Sequence, residues 1–482
     1  MKMPFTIINS GLAERHFHTA LARELSKRGH PVHAVVLGSR YANMYRTTNC
    51  YEEVTDLSEW MRDHWETDRH VLLDRARAID EQYAPPGLWQ MLAADRRIRR
   101  RDHDFNLRAA CAQVAFWEQH FDTIAPGLVI GEVSHLHNYI PWAVGRRYGI
   151  PFAHLIAARI RGHTAIGDGP MEHKNTVATH YERFRHEGTP EDLQRKAEEY
   201  IAGCRAQAQR APHIPPVKKW YQDPVDIGSV PGLLQGLKTW YSWERKYNYF
   251  LTAPTAKIGT WCRQKALRSW MTVTRRYFDD IQGMTDPFVL FALHLQPESS
   301  TMVRGQCFQD MLSVVRNFAL SLPAGYRLYV KEHDVMFGQR PLAFFHELKH
   351  MPNVVRVSPY ESGPDLVRRS SAVAAITGTT AWEAAMLGKP VVMLGHSFFD
   401  MYRGIDRITD PTGLPDVFRE RLRHFEHDEQ DLVTFVAAVF ASIVPASMDD
   451  LRGLRSPDDV EGAGALAKAL IERATENSGT TP

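Results

Sequence analysis

Apolar positions along this chain recur with two periods. Short β-branched runs bounded by Gly, Pro or polar residues read as buried strands. Stretches with apolar positions three and four apart read as helices. The second half shows the alternation most clearly. Phe288 to Leu293, Arg327 to Lys331, Asn353 to Val357, Ala372 to Ile376 and Val391 to Leu394 are predicted strands. Between them, Met302 to Leu320, Pro341 to His350, Gly363 to Arg369 and Ala381 to Leu387 are predicted helices. Strand-helix alternation with short connections predicts a doubly wound α/β domain.

The first half carries the same rhythm. A strand at Phe5 to Ile8 runs into "NSG", a helix at Leu12 to Arg28, a stop at Gly29 and a second strand at Val32 to Val36. This β-α-β unit implies parallel pairing. A long helical region, Asp56 to His120, interrupts it. The rhythm resumes with a strand at Gly127 to Glu132, a helix near His137 to Tyr148 and a strand in "PFAHLI". Pro212, Pro215, Pro216, Pro224 and Pro231 then break any long element and predict a linker. The predicted partition is 1–210 as a first Rossmann-like domain with a helical insertion, and 211–285 as linker plus a basic, aromatic helical segment. Residues 286–415 form the second Rossmann-like domain, and 416–482 the closing helices with a polar tail. The fold class is α/β, two doubly wound domains facing across a cleft.

Composition narrows the class. With 482 residues the chain exceeds one ordinary core, and 44% hydrophobic with 24% charged residues describes a globular protein. A net charge of +2 gives no general attraction for nucleic acid, and none is expected as a partner. The five cysteines lie at no metal-ligand spacing and are odd in number, which predicts reduced thiols and a cytoplasmic setting. The apolar run Thr434 to Val444 is too short for a bilayer and reads as a buried helix. The stretch Lys238 to Tyr249, "KTWYSWERKYNY", mixes basic and aromatic residues. It suits the inner membrane face or an amphipathic helix packed at the domain junction, and peripheral membrane contact stays open.

In doubly wound sheets ligands bind beyond the carboxyl ends of the strands. One strand ends in "ITGTTAWEAAMLGKPVVMLG". Gly378 permits close backbone approach, Thr379 and Thr380 open a helix whose first N–H groups suit a phosphate, and Glu383 is placed in the first turn within reach of a ribose. The alternative is an ordinary helix cap. Other strand ends carry Gln296 and Glu298, Lys331 and His333, and Ser358. In the first domain His16 follows the first strand, and Glu132 and His135 follow a later one. These are candidates for general base or nucleophile. Arg159 and Arg161 could hold an anionic group. No histidine set has metal-ligand spacing, and no metal site is expected. Asp102 and Asp104, in "RRIRRRDHDFN", read as a solvated helix face rather than a metal-binding Asp-x-Asp.

The second-domain segments "FALHLQPESST", "LYVKEHD", "MPNVVRVSP" and the Thr-Gly-Thr-Thr stretch resemble the capsular polysaccharide biosynthesis family. This family is among the GT-B glycosyltransferases and includes members that transfer Kdo from CMP-Kdo. The resemblance covers roughly Phe288 to Asp410. It implies that His333, Gly378, Thr379 and Glu383 bind the nucleotide, that Gln296 and Glu298 face the donor, and that Glu132 is the catalytic carboxylate. Where the family has Lys-x-His-Pro, this chain has Asp334 after His333, which leaves the donor unassigned. The resulting expectation is metal-independent transfer from a nucleotide sugar to a glycan or glycolipid acceptor, with no cofactor. A nucleotide-sugar 2-epimerase and a non-catalytic capsule-assembly scaffold are the alternatives.

Overall fold

The computed structural model describes residues 2–9, 11, 13–206, 236–274 and 276–478. The predicted linker at 211–235 lies outside them. The chain divides into two compact units.

In the first unit, β1 (Phe5–Asn9), β2 (Val32–Val36), β3 (Glu53–Asp56), β4 (Leu128–Gly131), β5 (Phe152–Ala157) and β6 (Thr164–Gly167) form one sheet. Their order is β6-β5-β4-β1-β2-β3. The first five strands pair in parallel and β6 turns back antiparallel to β5. Every residue of β1 and β2 is buried, as parallel strands covered on both faces must be. Helix Arg15–Lys27 buries Phe17, Leu21 and Leu25, spaced four apart, on one sheet face.

The predicted helical interruption is four α-helices, Leu57–Asp63, Arg69–Tyr83, Leu88–Ala94 and His103–Ile124, with a 3₁₀ turn at Ile98–Arg100. Asp56, Asp68 and Asp102 cap three of them through their carboxylates. Asp102 accepts from Phe105 N, and Asp104 pairs with Arg69 at 3.3 Å. The Asp-x-Asp pair is thus the start of a helix.

In the second unit, β7 (Phe288–Ala292), β8 (Arg327–Lys331), β9 (Val354–Val357), β10 (Ala372–Ala375), β11 (Val391–Met393) and β12 (Ile405–Arg407) pair wholly in parallel. Their order is β12-β11-β10-β7-β8-β9. Val289, Phe291, Leu328 and Val330 meet Val315, Phe318 and Phe418 in one core. The expected helix from Met302 to Leu320 is broken. Gly305 leaves no room for a Cβ, which would lie 2.4 Å from Ile376 Cγ2, and Asp310 starts a separate helix at Met311 by capping Leu312 N.

The domain boundaries differ from those expected. Unit one comprises Met1–His173, Ser229–Pro254 and Ile443–Pro482; unit two comprises Lys174–Gly228 and Thr255–Ser442. Helices Lys174–Glu187 and Glu191–Ala206 belong with the second sheet because of where their side chains are anchored. Tyr181 donates to Asp431 Oδ2 at 2.6 Å, Trp382 Nε1 donates to Tyr200, and Arg205 pairs with Glu429 at 2.7 Å. The run read as one helix to Val444 is helix Glu429–Phe440 followed by β13 (Ile443–Val444). β13 pairs with β6, and helix Ala463–Ser478 packs Leu466, Ala467 and Leu470 against the Leu21–Leu25 face of the first helix.

Candidate functional site

In the second sheet the chain order reverses between β7 and β10, so the loops after these strands flank the crevice where such sheets take ligands. After β10, Gly378 adopts φ +110° and ψ 175°. A Cβ there would stand 3.2 Å from His294 Cε1. His294, after β7, accepts from Ile376 N at 3.3 Å and Thr377 N at 3.4 Å through Nε2. One ring therefore fastens the two loops. Helix Thr379–Met386 has no side-chain cap. Its first N–H groups, with the helix dipole behind them, are suited to an anion. Glu383 lies in the second turn rather than the first, since no acidic residue occupies the first turn. Being four residues on from Thr379, it shares that residue's face of the helix. Burial chiefly, and the Glu383 charge in addition, raise the Tyr200 hydroxyl and the Cys204 thiol on helix Glu191–Ala206.

The ends of β8 and β9 hold a different arrangement. Lys331 is buried and gives its ammonium to Glu332 O, Asp334 Oδ1 and Pro359 O at 3.2–3.3 Å. Those acceptors engage all three of its donors. Gln296 donates to Gln309 O at 2.6 Å and accepts from Arg340 Nη1 at 3.4 Å. Lys331 and Gln296 thus shape the rim from within. Arg340 was not singled out from the sequence. It holds both Glu332 oxygens at 3.1 Å and donates to His294 O at 2.6 Å, joining the β7 and β8 ends. His333 Nδ1 accepts from Val335 N, which leaves Nε2 to carry the proton of the neutral ring. Burial lowers its pKa, so the neutral form prevails at pH 7. Glu298 accepts from Ser300 Oγ at 2.7 Å, and Ser358 Oγ accepts from Tyr360 N at 3.2 Å.

A cationic cluster also escaped the sequence reading. Asp400, in the loop after β11, is surrounded by Lys174 Nζ at 2.5 Å, His396 Nδ1 at 3.4 Å and Arg407 Nε at 3.4 Å. Burial would raise the Asp400 carboxyl, but hydrogen bonds from His396 and Lys174 outweigh that and hold it below the usual range. The carboxylate is 1% exposed, while its three partners are 27–35% exposed. The loop is tied to the Gly378 turn by Gly395 N, which donates to Ile376 O at 2.7 Å. One negative charge thus orients two fixed positive charges and an imidazole next to the uncapped helix. These residues come from three separate elements, so no sequence motif announced them.

In the first unit the chain order reverses between β1 and β4. His16 and Glu132 follow these adjacent strands and share one sheet edge. Glu132 is partly buried, and its carbonyl accepts from Asn138 Nδ2 at 2.6 Å. The first amide of helix Leu136–Tyr148 donates to buried Asp95 at 2.9 Å, so Asp95 supplies a cap once open to Glu132. His135 is 4% exposed, paired with Ser134 Oγ at 2.8 Å and packed beside His137 and Phe250. Burial, with the neighbouring His137, Arg96 and Arg97, holds its pKa well down. It is part of the packing rather than an open group. His16 accepts from Arg15 Nε at 2.9 Å and is lowered by burial and then by that charge. Arg159 and Arg161 lie in the β5–β6 hairpin turn, after the strand next to β4, and Arg161 is exposed.

Among the described residues no group of three or more His, Cys, Asp or Glu could hold a metal ion. Residues 245–418 match the family model described as capsule polysaccharide biosynthesis protein. The matched span contains all six strands of the second sheet, with the Gly378 turn, His333 and Arg340. No curated protein matches the chain. Among solved structures the chain is similar to KpsC of Thermosulfurimonas dismutans, a beta Kdo 2,4 transferase. Identity is 16%, over 64% of this chain and 78% of that one, with a TM-score of 0.34. It is also similar to a glycosyltransferase from Rickettsia africae ESF-5, at 10% identity over 100% of both chains and TM-score 0.32. A UDP-GlcNAc 2-epimerase from Neisseria meningitidis bound to UDP-GlcNAc is 12% identical over 99% of this chain and 100% of that one, with a TM-score of 0.26.

Proposed function

We propose that this protein is a glycosyltransferase that builds a capsular or surface polysaccharide from a nucleotide-activated sugar. The observation that carries the reading is the uncapped helix behind Gly378, at the switch point of a sheet within the matched family span. In this reading the helix start takes the donor phosphate and Glu383 takes the ribose hydroxyls. His333 Nε2–H donates to the leaving group. The cationic excess around Asp400 supplies further stabilisation, so that no divalent ion is required. The anomeric C–O bond to phosphate breaks with its electrons passing to the nucleotide. A hydroxyl of a glycan or glycolipid acceptor forms the new bond and gives its proton to a general base, the role for which Glu132 is the candidate.

A thermal-shift screen with CMP, UDP, GDP and CDP tests the nucleotide site, because a ligand that binds the folded state raises the melting temperature. One nucleotide should stabilise the protein, and Glu383→Ala should weaken it by about 1–3 kcal/mol, the range for a charged hydrogen bond. No shift with any nucleotide would refute the reading. Turnover should survive EDTA, and a loss restored by Mg²⁺ or Mn²⁺ would refute its metal independence.

A further inference from the structure

The segment Lys238 to Tyr249, for which membrane contact and packing both stood open, is anchored in the first unit by part of its residues. Glu244, Asn248 and Tyr249 are buried there, and Glu244 accepts from Ser39 Oγ at 2.6 Å. The helix that follows, Pro254–Thr274, behaves differently. Its second half is docked by one face. Gln264 Nε2 donates to Phe337 O, Arg268 lies over the Phe337 ring, and Met271 packs with Tyr277 and Phe345. Its first half has no such face, and every residue from Thr255 to Arg263 is exposed.

The composition of the outward face is the reverse of what water selects. A helix at a protein surface turns polar residues outward. At 100° per residue, Cys262, Ala266 and Val273 fall on the side opposite Gln264 and Met271, with Ile258 and Trp270 at its margins, whereas Trp261 falls on the docked side near Arg268. Ile258 is 54% exposed, Trp270 49% and Val273 76%. Arg263 and Lys265 lie at the two edges of that side, and the helix contains no Asp or Glu. Apolar and aromatic residues edged by positive charge match a bilayer surface of anionic headgroups, where tryptophan and the stems of Lys and Arg are at home. No described helix is long and apolar enough to cross a membrane.

We propose that the outward face of helix Pro254–Thr274 lies on an anionic lipid surface, parallel to the bilayer plane, with its apolar residues in the headgroup boundary. The charge argument selects this occupant over a second copy of the chain, whose matching helix would bring like charges together.

Co-sedimentation of the full chain with phosphatidylglycerol/phosphatidylcholine vesicles, against phosphatidylcholine alone, tests this. Binding should need the anionic lipid and fall with added salt. Ile258→Asp/Val273→Ser should abolish it with an unchanged melting temperature, since both side chains are exposed. Arg263→Gln and Lys265→Gln should each weaken it about fivefold. Equal recovery in the supernatant with and without anionic vesicles would overturn the proposal. So would a concentration-dependent dimer that Ile258→Asp dissolves in the absence of vesicle binding. Binding that survives Ile258→Asp/Val273→Ser but is lost in Lys238→Glu/Lys246→Glu would return the contact to the preceding segment.

Discussion

Arg340→Met removes the guanidinium that joins the β7 and β8 ends. Arg340 and Glu332 are 6% and 1% exposed, so the pair is dry. The substitution deletes both bonds to Glu332, the 2.6 Å bond to His294 O and the contact with Gln296. Glu332 keeps one donor, His333 N, at 2.6 Å. Stranding one member of a buried ion pair costs about 3–5 kcal/mol. The double variant Arg340→Met/Glu332→Gln leaves only neutral groups short of partners and should cost about 1–3 kcal/mol. The pH dependence separates this account from simple loss of packing. Burial already raises the Glu332 carboxyl, and Arg340 opposes it. Without Arg340 its folded-state pKa rises further above the unfolded value. Stability tied to a raised carboxyl is present below the unfolded pKa and is lost as pH climbs through the folded one. The single variant's deficit against wild type should therefore be largest at pH 7 and shrink towards the ordinary Glu value of 4.5. Urea unfolding of the second unit at both pH values, for wild type and both variants, gives the comparison. A deficit below about 1 kcal/mol, or one equal at both pH values, would refute the reasoning.

Gly378→Ala forces a side chain into a backbone region reserved for glycine, at about 1–3 kcal/mol, and crowds His294; calorimetry should show a lower melting temperature and a lost nucleotide-induced shift, and retention of both would contradict it. His18 and His120, held at about 4, and His137 and His173, at about 3, are all buried in the first unit. Their depressed values mean that stability is intact above the unfolded pKa of 6.5 and drains away as pH falls towards 4, so the first unit's urea midpoint should drop over that window and not stay flat. Glu132→Gln should cut turnover by at least about 10² with an unchanged melting temperature, because Asp95 keeps its bond to Leu136 N; near-normal turnover would take Glu132 out of the mechanism.

The strands that run through both cores were legible because each is a closed apolar run. Val32–Val36 and Arg327–Lys331 coincide with the pattern, and most others differ by one residue at an end. The strands that were not legible are short and lie towards sheet edges. Ile405–Arg407 carries Asp406 and Arg407, and Ile443–Val444 has two residues, so neither repeats long enough to show a period. The loops after β7, β8 and β10 could be chosen as candidates because position alone marks them. Which of their side chains turn inward could not be read. Lys331 is fixed by Pro359, and Gln296 by Gln309 and Arg340, partners supplied by other loops. The boundaries near 210 and 416 failed for a related reason. The packing of helix Lys174–Glu187 on the second unit depends on Asp431, some 250 residues away in the chain.

The return of residues 443–478 to the first unit sets an order of assembly during synthesis. Residues 2–173 emerge from the ribosome early, with the face formed by Leu21 and Leu25 ready but its covering helix still unmade. The second unit, ending at Ser442, is finished before that helix exists. The half begun first is therefore completed last, and its apolar surface must wait through the translation of the other half. At the usual pace of about 5–20 residues per second this is an interval of tens of seconds. A nascent chain halted when Ser442 has just cleared the ribosome should carry a folded second unit and an open first one, a species suited to chaperone capture.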